Sequence, residues 1–243
     1  MMFKDRNLNK RNDLDQKKNM KELVKAINDL SFNPNALKDL LLDGVIIKNQ
    51  NHNPNHDSCT YSNSDSKRIT EKRICRCMYY YNDIDASKEL KERCAICNYP
   101  AKLKNDSPFK ILDYEVPMKK VSKNVGGIDL VIQGIDGTVY GVEMKPPCGT
   151  ETFVRMVSEI LTYSELSDYE VEIKGTSYNF KPAICFFKKK SLASNSIIHS
   201  TQWRDYHKWL NDHDFETLIN SVKVFYVTIN GNYFDIHEMP RVY

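Results

Sequence analysis

The chain has 243 residues, 41% of them hydrophobic, and a formal net charge of +3. This is enough apolar material for one sizeable core plus an appendage, and so small a charge neither diagnoses nor excludes a nucleic-acid partner. No stretch approaches the length of a transmembrane helix, and the opening Met1-Met2-Phe3-Lys4-Asp5-Arg6 lacks the apolar run of a signal peptide; an intracellular protein with no membrane partner is expected.

Residues 1–19 are charged and Asn-rich and read as a disordered or frayed tail. Helical patterns follow near Met20–Leu30 and Ala36–Leu42, the second ending at Gly44, and 48–68 is a polar linker, so that 20–68 forms a helical N-terminal segment with its linker. Residues 69–105 hold Cys75-x-Cys77 and, after sixteen residues, Cys94-x-x-Cys97. Four thiolates in two close pairs match the ligand count of a structural Zn²⁺ site, and a small cysteine-rich, zinc-finger-like module is expected. Reduced unliganded cysteines, disulfides and an iron–sulfur cluster are the alternatives. Basic and aromatic residues nearby, among them Arg76, Tyr79 and Tyr80, could line a nucleic-acid surface or fill the module's own core.

The main core is expected over 106–243. Phe109–Val116 reads as a strand, and Ile128–Gln133 and Thr138–Lys145 alternate with period two around Gly134-Ile135-Asp136-Gly137, a hairpin loop ending in an αL glycine. That register sets Asp129 opposite Glu143, Leu130 opposite Val142, Ile132 opposite Tyr140 and Ile128 opposite Met144, with one consistently apolar face. Pro146-Pro147 stops the strand, and Thr150 is positioned to cap a helix to about Leu166 that buries Phe153, Met156, Val157, Ile160 and Leu161. A strand at Pro182–Phe187, a helix at Ser200–Leu210 and a strand at Val222–Ile229 complete the pattern. Trp203 and Trp209 read as core anchors first, and the scattered histidines suggest no second catalytic centre.

Opposed Cβ atoms lie about 4.5–5.5 Å apart, so Asp129 and Glu143 repel unless one holds a proton or both share a cation. Lys145, two residues beyond Glu143, points the same way. Two carboxylates for a hard divalent ion, with an ammonium to orient a nucleophile or neutralise developing charge, are the residue types that phosphodiester hydrolysis needs.

The pattern Asp129, then Glu143-x-Lys145, resembles the signature of the PD-(D/E)XK nuclease superfamily, over roughly residues 109–190, and the order β-β-β-α-β is similar to its core. The resemblance implies an α/β (α+β mixed) restriction-endonuclease-like fold, a central mixed sheet flanked by helices. It implies Mg²⁺ or Mn²⁺ held by Asp129, Glu143 and the Met144 carbonyl, catalysis by Lys145, and a further acidic residue, for which Glu115 is the candidate. It also implies a Gln-x-x-x-Tyr helix motif in some branches, where this chain has Glu159-x-x-x-Tyr163. Lys119, Lys120, Lys123 and Arg155 are candidate nucleic-acid contacts.

A metal-dependent nuclease, most simply a DNA endonuclease, is therefore expected. A non-catalytic zinc-containing adaptor binding nucleic acid or protein, and an RNA-processing nuclease, remain open, and double-strand cleavage would favour a homodimer.

Overall fold

The computed structural model describes residues 71–82, 102–117, 127–147, 149, 153–167, 169–188, 199–209, 222–231 and 233–240. The expected tail, the two N-terminal helices, the linker, Cys94, Cys97 and Lys119, Lys120 and Lys123 lie outside these residues.

The chain is a mixed α/β structure around one seven-stranded mixed sheet among the described residues. In chain order the elements are α1 (Glu71–Asn82), β1 (Lys102–Leu103), β2 (Phe109–Pro117), β3 (Gly127–Gly134), β4 (Val139–Lys145) and α2 (Phe153–Leu166). They continue with β5 (Glu170–Ile173), β6 (Thr176–Asn179), β7 (Lys181–Phe187), α3 (Thr201–Trp209), β8 (Lys223–Asn230) and β9 (Tyr233–Glu238). The sheet runs β1-β9-β8-β7-β4-β3-β2, and β5-β6 is a separate hairpin. Strands β2, β3 and β4 form an antiparallel meander; β4, β7 and β8 are parallel, and β9 returns antiparallel to β8.

Alternation along the strands produces two cores, one on each face. Helix α2 buries Phe153, Met156, Val157, Ile160 and Leu161, the stripe its sequence spacing predicts, against Val131, Ile184 and Phe186. Ser200 caps α3, its Oγ accepting from the Trp203 N–H at 3.1 Å. On the other face α1 packs Ile74, Cys75 and Met78 with Leu130, Val142, Met144 and Cys185. The described part of the expected cysteine module is thus a helix sharing the sheet's core. Its Tyr79 is buried and meets the Tyr114 ring at 5.3 Å, so this tyrosine fills the core and does not line a binding surface.

The β3–β4 hairpin has the expected register over Leu130–Val142 and Ile132–Tyr140, and Gly137 closes the loop with φ +82°. The register departs from expectation beyond Leu130. Ile128 stays paired with Val116 on β2, and both belong to the α2 side, whereas Leu130 and Tyr114 belong to the α1 side. Glu115, between Val116 and Tyr114, has φ 45°. A left-handed residue inside a strand marks the level at which β2 and β3 turn over and β3 leaves β4. The single apolar hairpin face therefore excludes Ile128.

Gly141 is a close-approach position: a Cβ there would lie 2.6 Å from the Phe180 ring and 3.2 Å from Ile128 Cδ1. Gly141→Ala is expected to destabilise the fold by about 1–3 kcal/mol, read as a lower urea midpoint with unchanged slope. Among the described residues no helix is long and apolar enough to cross a membrane.

Candidate metal centre

Where β3 parts from β4, one peptide N–H of β4 loses its ladder partner, and a side chain takes the place. Asp129 Oδ2 accepts from the Met144 N–H at 2.8 Å. A strand residue's N–H and C=O project to the same neighbour, so the Met144 carbonyl also faces the Asp129 side. Glu143 and Lys145, alternate residues at the end of β4, share the face that α2 covers, since their register partners on β7 are Ile184 and Phe186 of that core.

Lys145 is buried, and its Nζ meets three carboxylates: Glu143 Oε1 at 2.6 Å, Glu71 Oε1 at 3.2 Å and Glu159 Oε2 at 3.3 Å. Glu71 is the first residue of α1 and Glu159 lies mid-way along α2. Helices from opposite faces of the sheet thus each send one acid to the same strand end. One oxygen each from Glu71, Asp129 and Glu143 fall within 4.8 Å of one another. If all four acids are ionised, their negative charge exceeds the single positive charge that Lys145 supplies.

The proton affinities reflect that imbalance. Burial pushes the Asp129 carboxyl up to about 7; Lys145 and the Met144 N–H pull the other way, while Glu71 and Glu159 add to the rise. Glu143 is raised as well, by burial first and then by Asp129. Burial works against the charge on Lys145, but Glu143, Glu159, Asp129 and Glu71 outweigh it and hold the ammonium well above the usual lysine range. The Tyr163 hydroxyl, one turn beyond Glu159, is raised by burial and by Glu143, Glu159 and Asp129. It sits in the same field of negative charge, which favours the neutral phenol.

An all-oxygen donor set with surplus negative charge fits a hard divalent ion, Mg²⁺ or Mn²⁺, and not a thiolate-seeking one. Of the residues expected from sequence, Asp129, Glu143 and Lys145 come together. Glu115 lies outside the tight carboxylate group, and Glu71 supplies the third acid. Arg155 lies on α2, with its side chain outside the described residues. Glu159, which stands where some branches have Gln, is a direct partner of Lys145. The signal for Glu71 was present as Glu71 followed by Ile74, Cys75 and Met78 at helical spacing, but the neighbouring cysteines directed that stretch to a zinc module.

Cys75 and Cys77 are both buried inside α1. Residues two apart on a helix diverge by about 200°, which does not make a two-thiolate clip for one ion. Burial, then the charges of Asp129, Glu71 and Glu115, hold the Cys75 thiol protonated. Among the described residues neither cysteine belongs to a group of three metal-capable side chains.

Comparison of the chain with models of protein families, with curated proteins and with solved structures finds no match.

Proposed function

We propose that this chain is a divalent-metal-dependent nuclease of PD-(D/E)XK type, with a restriction-endonuclease-like core formed by β2-β3-β4-α2-β7. The observation that carries the reading is one buried ammonium meeting Glu71, Glu143 and Glu159, with Asp129 one strand away. Desolvating that many charges costs several kcal/mol per ion in a protein interior and gives a fold little stability. Such a cost is characteristic of a reactive centre.

In this reading Glu71, Asp129 and Glu143 hold Mg²⁺ or Mn²⁺, with the Met144 carbonyl as a further oxygen. The ion, when bound, supplies charge neutralisation at an attacked phosphodiester and a more acidic water. Lys145 places a permanent positive charge beside the reacting phosphate, where it orients the nucleophile and offsets charge that develops in the transition state. Glu159 keeps Lys145 aimed while the other acids are engaged with the cation. DNA is the expected substrate.

A plasmid-nicking assay with and without Mg²⁺ tests the reading: nicking that requires the metal supports it. Matched DNA and RNA substrates separate DNA cleavage from RNA processing. Binding without cleavage of any nucleic acid in Mg²⁺ or Mn²⁺ supports the binding-only adaptor instead. Glu71→Gln is expected to weaken Mn²⁺ affinity by roughly tenfold or more, since even an outer partner of a metal ligand is worth about 10–100-fold; unaltered affinity would remove Glu71 from the centre.

A further inference from the structure

A second group of side chains lies on the same face of the sheet as Lys145, toward the β9 edge. Lys145 is in register with Phe186 on β7, Phe186 with Tyr226 on β8, and Tyr226 with His237 on β9. Three strand spacings of about 4.8 Å set His237 about 14 Å from Lys145 across the sheet. Lys188, just past the end of β7, lies between these positions at the strand ends where the acids gather.

Around this row the rings are arranged in contact. Tyr226 and His237 stack, with centroids 4.9 Å apart and planes 22° apart. Trp203 of α3 stands edge-on to Tyr226 at 5.1 Å, stacks with His199 at 5.8 Å and meets His207 at 4.6 Å. Lys188 Nζ lies 4.9 Å from the Trp203 ring centroid. Trp203, Tyr226, His199 and His237 are partly exposed, and His207 is exposed. Trp203 and Tyr226 pack one side against the α2-side core and leave part of their area exposed.

The charge around the rings favours an anion. Arg204 and Lys208 are exposed on α3, and Lys188 adds a third cation at the Trp203 face. Asp235, the acid of β9 on this face, lies 3.5 Å from His237 Nε2, which also meets Thr228 Oγ1 at 2.9 Å, while Glu238 points to the opposite face. Partial burial, then His199 and Lys188, make His207 harder to protonate, as a locally positive field requires.

We propose that this ring cluster, formed by His199, Trp203, His207, Tyr226 and His237 with Lys188, is a stacking platform for unpaired bases of single-stranded nucleic acid. Bases stack on partly exposed rings without sequence preference, while cations beside them neutralise the phosphates. A base pair inside a duplex offers no free ring face to such a platform. The inference rests on the nuclease reading for its purpose: a separation of about 14 Å is within reach of a short run of unpaired strand. The platform would hold an unpaired strand or frayed end while the phosphate a few nucleotides away reaches Lys145.

The test is fluorescence anisotropy of the full chain with labelled oligothymidylate, oligouridylate and a blunt duplex, all in EDTA so that nothing is cut. The probe proteins are wild type, Lys188→Ala and the double variant His207→Ala/His237→Ala, which spares the packed Trp203. The double variant should bind both single strands about 5–150-fold more weakly, the range of one lost stacking contact, with duplex binding changed less than about twofold. Lys188→Ala should lower the salt dependence of single-strand binding by about one phosphate contact. Equal single-strand affinity for wild type and double variant, or equal losses on single strand and duplex, would overturn the platform. A wild type that binds single strands through these residues but never cuts in Mg²⁺ would instead refute the nuclease reading alone.

Discussion

Lys145→Ala is expected to reduce Mg²⁺-dependent cleavage by roughly two to four orders of magnitude, the range for a positioned proton-transfer or charge-stabilising group. The effect should fall on kcat and kcat/KM together, because Lys145 is buried and contributes little to holding the rest of a long substrate. Stability changes too. Removing the Lys145 ammonium takes a shared positive partner from Glu71, Glu143 and Glu159, and breaking a buried ion pair of this kind costs about 3–5 kcal/mol. The loss should shrink on acidification, since protonated acids no longer repel, and in Mg²⁺, which restores the missing positive charge. A folded Lys145→Ala protein that cleaves at the wild-type rate would remove Lys145 from the chemistry.

The metal-free protein is expected to lose stability as pH rises from about 4 to about 7. Asp129 has a folded-state pKa raised to about 7 and Glu143 is raised as well, whereas unfolded carboxylates titrate near 4. Between those values the folded state binds more protons than the unfolded state, so the slope of unfolding free energy with pH is negative. Below about pH 4 both states are protonated and the penalty vanishes; above about 7 the Asp129 share of it is complete. A divalent ion competes for the same oxygens, so Mn²⁺ should raise Tm strongly at pH 8 and little at pH 5. Asp129→Asn should flatten the pH slope and remove most of the metal-induced rise. A metal-free Tm that climbs steadily from pH 4 to 7 would contradict the charge assignment.

The parts of the fold that were legible in the sequence have strong local periodicity. The β3–β4 hairpin follows from period-two alternation and an αL glycine, and the α2 stripe from spacing of 3.6, so Asp129, Glu143 and Lys145 could be brought together by counting residues. The β5–β6 hairpin, only four residues to a strand, and β9 carry too short or too polar a pattern to stand out. Glu71 and Glu159 could not be assigned from local pattern because their partnership with Lys145 is made between layers, through helices packed on opposite faces. Ile128 departs from the expected face for a related reason: alternation breaks at a level where Glu115 adopts positive φ. At that level Ile128 joins the opposite core, and Asp129 accepts the Met144 N–H.

The ring cluster illustrates the same limit. Trp203 was readable as a core anchor, and it does pack on Phe186, but its histidine and tyrosine neighbours come from α3, β8 and β9, which meet only in the folded sheet. Histidines scattered in sequence gave no hint of a shared surface.

Calorimetric titration of Mn²⁺ into the metal-free protein at pH 7, repeated in buffers of different ionisation enthalpy and with Glu143→Gln, probes the acid cluster most directly. Binding that releases protons in the wild type, and that the Glu143→Gln substitution weakens by tenfold or more, is the predicted result. Heats no larger than dilution, or an affinity indifferent to Glu143, would contradict the assignment of these acids as the cation's ligands.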